Sequence, residues 1–560
     1  MSDYLEGKSR WWGWGDFDKD FDLSERARLA PYLKENVGVD ILSGQMRFTA
    51  PTLDEIELPA PRLDSQMLQQ LEGIVGKDNV RTDKFNRVSH SMGKSYRDCL
   101  RNRLRRIDNP VDVVVWPRDE SDVVKLVELA GEKHIAIIPF GGGSSVVGGV
   151  EPQGTEAFAG TITVDLGRMN QLLELDAMSH IARIQAGAQG PYLEEQLNAK
   201  GFTLGHFPES WNHSALGGWI AARAAGRQST GYGKIEEMMI SLRMVTPTGT
   251  IATRRIPATA AGPKLMDLLV GSEGTMGIIT EASMKVRPLP SVFDYSGLLF
   301  KNFPAGVSCV REILQGEVRP TAIRISDEDE TRLGQAWRIT SSSLKHKAED
   351  FALGLLEKRG YSLSDGAFMV LGVEGEKDEV EERKKKLVKI CRKMGGFYLG
   401  TGAGLHWYKG RYDNAYLRDQ LINYGIMVDT LETAATWDSY LHVYGEVQKA
   451  MNKAIEARGV RGIVTCHLSH AYPHGASLYY IFIAGMSTED EVGQWVDLKK
   501  AASDAMMAAG ATITHHHGLG YEHAPWLPDE IGREGIRALR ALKQTLDPDG
   551  IMNPGKILLG

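Results

Sequence analysis

The stretch Ile135-Ala-Ile-Ile-Pro-Phe-Gly-Gly-Gly-Ser-Ser-Val-Val-Gly-Gly149 constrains the fold more than any other part of the chain. A buried strand runs straight into three glycines, whose missing Cβ atoms let successive backbone N–H groups converge on an anion. Upstream, Val111-Asp-Val-Val-Val-Trp-Pro117 is a β-branched run closed by proline, and residues 119–134 have the acidic first turn and apolar spacing of an amphipathic helix. The predicted unit is therefore strand, helix, strand, delivering a glycine loop whose guest carries phosphate. A tight turn with no ligand is the plain alternative. The glycines follow neither G-x-G-x-x-G with a later acidic residue nor G-x-x-x-x-G-K-[ST], so neither a Rossmann site nor a P-loop is supported.

At 560 residues the chain is expected to divide into several domains. Residues 1–105 read as a mainly helical N-terminal segment. Residues 106–290 add the strands TITVDL, HIARIQAGA, MMISLRMVTPTG and MGIITEASMKVRP, giving one α+β domain. Residues 291–525 alternate helices, such as Asp378 to Met394, with strands FMVLGVEG and SLYYIFIAG and form a second α+β domain, while 526–560 is a helical tail. A net charge of -7 argues against nucleic acid as a partner, the basic run Arg97 to Arg106 is too short to overturn that, and the basic segment Arg383 to Lys393 reads as a solvated helix face. Cys99, Cys309, Cys391 and Cys466 are scattered, which suits reduced thiols rather than disulfides or a zinc site. No charged region precedes an apolar stretch at the start, no apolar run reaches about 18 residues, and the final Leu-Leu-Gly is not a peroxisomal tripeptide. A cytoplasmic protein is expected.

Ile513-Thr-His-His-His-Gly-Leu-Gly520 places three histidines side by side. If Thr512 to His517 is a strand, His515 and His517 share one face and His516 takes the other. An H-x-H pair needs a third protein ligand to hold zinc, and local spacing supplies none, so no metal is expected. Trp11, Trp12 and Trp14 suit either a membrane-interface anchor or packing against the body, and packing is the expectation.

The series Trp116-Pro117, Asp122-Val-Val-Lys-Leu-Val127, Ile137-Ile-Pro-Phe-Gly-Gly-Gly-Ser-Ser145, Pro208-Glu-Ser210, Gly217-Gly-Trp-Ile220 and Gly271-Ser-Glu-Gly-Thr-Met-Gly-Ile-Ile-Thr-Glu-Ala282 resembles the flavin-binding domain of the vanillyl-alcohol oxidase and p-cresol methylhydroxylase superfamily. From Arg10-Trp-Trp-Gly-Trp-Gly-Asp-Phe17 to the histidine triplet, the whole chain most resembles the alkyldihydroxyacetonephosphate synthase family. The resemblance implies an FAD-binding domain with an α+β cap that holds the substrate. It implies FAD held by Pro139, Phe140, Gly141, Gly142, Gly143, Ser144 and Ser145 around the pyrophosphate, and by Glu209, Ser210, Ser214 and Ala215. It adds Ala222, Arg223, Ala224 and Ala225, then Glu273, Gly274, Thr275, Met276, Gly277, Ile278 and Ile279, with Arg324 orienting the cofactor. No His or Cys lies in the Phe140 to Ser145 loop where some superfamily members attach flavin covalently, so non-covalent FAD is expected. Ala215 departs from the threonine usual in the family, with Ser214 as a replacement donor.

The family exchanges the acyl chain of acyl-dihydroxyacetone phosphate for a fatty alcohol through a flavin N5 adduct, without net redox, in ether-lipid synthesis. The resemblance makes Tyr479 in Gly475-Ala-Ser-Leu-Tyr-Tyr-Ile-Phe482 the proton shuttle, with His515, His516 and His517 beside it and the flavin. It makes Arg418 the phosphate ligand, and it implies a homodimer with peripheral membrane contact. Without it, Tyr479 reads as a half-buried strand tyrosine and Arg418 as a surface arginine. The rival is an FAD-dependent 2-hydroxy-acid dehydrogenase of the D-lactate or glycolate type. Those enzymes often carry H-x-G-D-G-N-x-H, whereas His467-Leu-Ser-His-Ala-Tyr-Pro-His474 lacks the G-D-G-N core, which favours the ether-lipid reading. A flavoprotein-like scaffold without activity is the third option.

Overall fold

The β-branched runs become strands where they were expected, in three larger sheets and a two-stranded ribbon. The computed structural model describes residues 9–43, 45–337 and 357–559; residues 1–8 of the N-terminal segment, 338–356 of the cap, and positions 44 and 560 lie outside the description. The first sheet holds β1 (Val80–Arg81), β2 (Val113–Val115), β3 (Ala136–Phe140) and β4 (Thr161–Asp165) in the order β1-β2-β4-β3. β4 runs parallel to both β2 and β3. Val113, Val114 and Val115 are fully buried, each valine contributing about 1.5–3 kcal/mol relative to exposure. Between β2 and β3 the helix Glu120–Lys133 starts on the Asp119 side chain, which accepts from the Asp122 N–H, and stops at His134 in the left-handed region, φ +53°. That return puts the glycine loop at the carboxyl end of β3.

This domain draws in residues from before position 106. Helix Ser65–Val75 and β1 share one core with Val113, Ile137 and Ile162, and β1 pairs antiparallel with β2. A two-residue strand carries no readable period, so the sequence pattern there showed helix alone.

The second sheet, with β5 (Leu172–Asp176), β6 (Ile181–Gln185), β8 (Met239–Thr246), β9 (Gly249–Ala252) and β10 (Ile278–Lys285), is antiparallel in the order β5-β6-β10-β8-β9. A short ribbon pairs β7 (Phe202–Thr203) with β11 (Arg287–Pro288). The cap is a seven-stranded antiparallel sheet in the order β15-β12-β14-β13-β17-β18-β16. Its strands are β12 (Val292–Phe300), β13 (Ala322–Ser326), β14 (Ala367–Gly375), β15 (Phe397–Gly400), β16 (Ile426–Thr436), β17 (Gly462–Tyr472) and β18 (Gly475–Gly485). Helices Phe303–Gln315, Lys377–Lys393, Tyr440–Ala457 and Glu491–Ala508 contribute to one large core with this sheet.

Trp11 and Trp14 are buried, as packing requires. After the helix Leu527–Leu546 the chain end returns to the flavin-type domain, where Ile551 and Met552 join its core and Met552 bridges to Ile137 on β3. Among the described residues no helix is long and apolar enough to cross a membrane.

Candidate functional site

The glycine loop leaves β3 against residues 213–215. A Cβ on Gly142 would lie 1.9 Å from the His213 carbonyl oxygen, and one on Gly143, at φ +62°, 2.4 Å from the Phe140 ring. The loop therefore needs glycine to pack this closely. Among the described residues the N–H groups of Gly142, Gly143 and Ser144 find no acceptor. They border a hollow shared with Ser89, Lys94, Gln189 and His213. The buried oxygens of Gln189 and Ser272 are also without partners. Free amides, a lysine and orphaned polar atoms fit an anionic, polar ligand such as a dinucleotide.

The neighbouring segments are less uniform than expected. Ser214 Oγ donates to the Ser210 carbonyl at 2.8 Å and accepts from Trp219 Nε1 at 2.6 Å, so it is committed locally. Arg223, half-exposed, turns to Glu236. Thr275 Oγ1 donates to the Ser272 carbonyl. Glu273 does not offer its carboxylate to the loop: it accepts from Leu519 N–H at 2.6 Å and Gly520 N–H at 2.8 Å, just beyond the histidine triplet. Burial pushes its carboxyl up to about 7 despite those bonds.

On the cap sheet, Tyr479 of β18 lies directly between Glu432 of β16 and His467 of β17. Paired antiparallel residues point to the same face, so these three side chains meet. His467 stacks on Tyr479 with centroids 4.8 Å apart; His516 stacks at 5.9 Å and His517 sits edge-on at 5.4 Å. Burial pushes the Tyr479 hydroxyl up to about 12, against the pull of a Thr430 hydrogen bond and the Arg227 charge.

The triplet is not a strand, and its alternation does not hold. His515, His516 and His517 lie on a bend whose successive N–H groups all turn to one carboxylate, Glu432, at 2.6, 3.0 and 2.8 Å. The division is instead His516 and His517 toward Tyr479, and His515 toward Tyr472, whose hydroxyl is 2.6 Å from its Nε2. His470, His515 and His516 each bring a ligand-capable atom within 4.8 Å of the others. However, His470 Nδ1 is 2.7 Å from Ser229 Oγ, and the Nδ1 atoms of His515 and His516 are 2.9 Å apart. Tetrahedral zinc would hold its nitrogens about 3.3 Å apart and strip these bonds.

Arg324, on β13, donates to Glu330 at 2.6 Å, and Glu330 also meets His467 Nδ1 at 3.0 Å. Arg418 donates to the Lys94 carbonyl at 2.8 Å and lies 3.2 Å from Cys99 Sγ, while its buried Nε has no hydrogen bond and sits 3.9 Å from Asp419 Oδ1. Sequence patterning missed three neighbours. Arg227 pairs with Glu209 and the Arg411 carbonyl and lies 5.1 Å from the Trp407 ring centroid; burial with Arg324 nearby brings its guanidinium down to about 9. His206 is fully buried with neither ring nitrogen bonded. Glu432 is the third, its only signal that it is one of two acids, with Asp429, in a largely buried strand.

Burial lowers His206 to about 3, His467 to about 4, His517 to about 3 and His523 to about 4. Unfolded, each titrates near 6.5, so below that pH the unfolded chain takes up protons that the folded one refuses. Their stabilising effect is complete above about pH 6.5 and drains as pH falls, by up to about 1.4 kcal/mol per unit per histidine. Thermal melts of the protein at pH 7.5 and 5.0 are expected to show a loss of several degrees; an unchanged midpoint would contradict the buried neutral assignments.

Residues 111–254 match the family described as FAD binding domain, and 289–557 the C-terminal domain of FAD linked oxidases. The chain is 36% identical to an alkyldihydroxyacetonephosphate synthase of Dictyostelium discoideum, over 90% of this chain and 83% of that one. It is 35% identical to the protein of that name from Trypanosoma brucei brucei, over 98% and 92%. A solved alkyldihydroxyacetonephosphate synthase superposes with a TM-score of 0.84 at 32% identity, covering 98% of both chains. A p-cresol methylhydroxylase structure, at 15% identity and a TM-score of 0.64 over 89% of this chain and 98% of that one, shares the fold.

Proposed function

The chain belongs to the alkyldihydroxyacetonephosphate synthase family, and from that premise we propose that it joins a fatty alcohol to acyl-dihydroxyacetone phosphate with release of the fatty acid. The C1–O bond to the acyl chain breaks, a C1–O bond to the alkyl chain forms, and the alcohol's proton leaves with the carboxylate product as a free acid or to water. No electrons are gained or lost overall. The observation that carries the reading is Tyr479, ringed by His467, His516 and His517 on a sheet face that continues as an apolar strip.

That strip follows from strand register. Ile481 lies two residues beyond Tyr479, and Ile483 is flanked by Val428 and Ile463. Val428, Ile463 and Ile481 are only partly buried and, like Leu333, Trp337 and Leu417, pack against the buried cluster that Leu29, Leu33 and Ile41 form with Ile426 and Ile483. An alkyl chain that slid between this N-terminal segment and the strip would place its head group at Tyr479. Tyr479 and the two histidines facing it move the C1 and alcohol protons, and Arg418, turning its two terminal nitrogens from the Lys94 carbonyl and Cys99, receives the phosphate, for which a guanidinium's two-pronged donor set is suited. The free amides of Gly142, Gly143 and Ser144 would hold the pyrophosphate of a non-covalent FAD, which when bound would supply an electrophilic ring beside Tyr479. Acting on long-chain substrates, the enzyme works as a homodimer with its chain entrance against a membrane surface.

The test is direct. Purified yellow protein incubated with palmitoyl-dihydroxyacetone phosphate and hexadecanol is expected to yield the hexadecyl ether and palmitate in equal amounts. No ether product, together with dye-coupled oxidation of D-lactate or glycolate, would replace the synthase reading with the dehydrogenase one.

A further inference from the structure

We propose that Glu432 is a positioning residue of this site: it fixes the backbone of the histidine triplet and supplies the standing negative charge against which His516 and His517 accept a proton from Tyr479. The second half rests on the synthase reading; the first does not.

Glu432 lies in β16, fully buried, and its register partner is Tyr479. Its Oε1 accepts from Thr514 Oγ1 at 2.6 Å, His516 N–H at 3.0 Å and His517 N–H at 2.8 Å, and its Oε2 from His515 N–H at 2.6 Å. Four donors on one carboxylate, three of them consecutive amides, form a backbone nest around an anion. A strand would spend those amides alternately on two neighbours, so the nest is what forces the bend and sends His516 and His517 toward the tyrosine. The loop's other end is held from the flavin-type domain by Glu273 on Leu519 and Gly520. Two carboxylates from two domains thus bracket seven residues.

The charge has a second consequence. His516 Nδ1 is 3.5 Å and His517 Nδ1 3.8 Å from the Glu432 oxygens. Burial would raise the Glu432 carboxyl, but the three histidines and their bonds hold it well below the usual range, so it stays ionised. The other titratable groups around the loop are Tyr479 on β18, His470 and Tyr472 on β17, His523, Lys499 from the helix Glu491–Ala508, and Lys234, whose ammonium donates to the His515 carbonyl at 2.8 Å, with the carboxyls of Glu273 at Leu519 and Gly520 and of Glu530 at Ile513. Of the three carboxyls, Glu432 is the one that accepts from the His516 and His517 amides, and its charge offsets the lysines that would oppose an imidazolium there.

Glu432→Gln keeps the shape and the Oε1 acceptor but removes the charge. In the flavin-loaded enzyme it is expected to retain flavin, lower kcat by 100-fold or more, change KM less than threefold, and move the acid limb of the kcat profile to lower pH. The sign follows because an imidazolium that has lost its counter-charge gives up its proton more readily. A substrate-free arm separates this idea from the synthase reading: with imidazole-labelled histidine, NMR titration is expected to show His517, assigned by His517→Gln, titrating below its parental value in the variant. Unmoved histidine titrations in a folded Glu432→Gln protein would overturn the proposal, as would near-parental kcat with an unmoved acid limb. Should Glu432→Gln fail to fold, Glu432→Asp decides: a parental limb supports the proposal, and histidines titrating below their parental values overturn it.

Discussion

Tyr479→Phe is expected to bind flavin as the parent does, melt within a few degrees of it, and turn over roughly 10²- to 10⁴-fold more slowly, the usual loss when one proton-transfer group is removed. The ring is held by stacking, not by its hydroxyl: His467 lies 4.8 Å and His516 5.9 Å from it centroid to centroid, contacts that phenylalanine retains. What goes is one hydroxyl, and a buried hydrogen bond of that kind costs about 1 kcal/mol of stability. With burial pushing the hydroxyl up to about 12, Tyr479 is protonated at rest and releases its proton only as a neighbouring imidazole takes it. The variant's flavin absorbance, melting midpoint and kcat together decide the matter. Parental kcat would remove Tyr479 from the chemistry, while loss of flavin would show that the ring's position, not its proton, is what matters.

The strands around the glycine loop were legible because they are β-branched runs bounded by proline or glycine, and β2, β3 and β4 came out where those runs lie. Tyr479 and the triplet were legible as a group through family likeness, and the structure brings His516 and His517, but not His515, within ring contact of Tyr479. The orientation of the triplet was not. Strand alternation presumes that backbone amides serve neighbouring strands, and here a carboxylate 83 residues away in sequence takes the amide of His515 instead. Gly518 at φ +90° and Gly520 at φ +52° were the local warning that the chain bends. Glu273 illustrates the converse: its segment was placed near the flavin from sequence, yet its carboxylate faces Leu519 and Gly520, a direction no motif encodes. Arg227 had no sequence signal, since a single arginine after a glycine is patternless until Glu209 and Trp407 close around it.

Gly142→Ala is expected to give a folded but nearly colourless protein, with flavin affinity down by 100-fold or more and activity restored only by high added FAD. The added methyl would sit 1.9 Å from the His213 carbonyl oxygen and 2.8 Å from both His213 C and Ser214 Cα. All three are backbone atoms, so no rotamer change relieves the clash; one of the two segments must withdraw by more than an ångström. Those segments are the loop whose amides at Gly142, Gly143 and Ser144 stand free and the turn that carries Ser214 and Ala215, so either withdrawal pulls apart the anion cradle. The damage is confined because Gly142 lies at a loop, outside β3 and the helix Leu216–Ala221, whose own bonds do not depend on it. Gly131→Ala is the matched control: its Cβ meets nothing within 4 Å on the helix Glu120–Lys133, so it should keep full colour and gain about 0.5–1 kcal/mol of stability. Flavin content per chain, read by absorbance after desalting, separates the two. A Gly142→Ala protein as yellow as the control would mean that the glycine loop does not hold the cofactor.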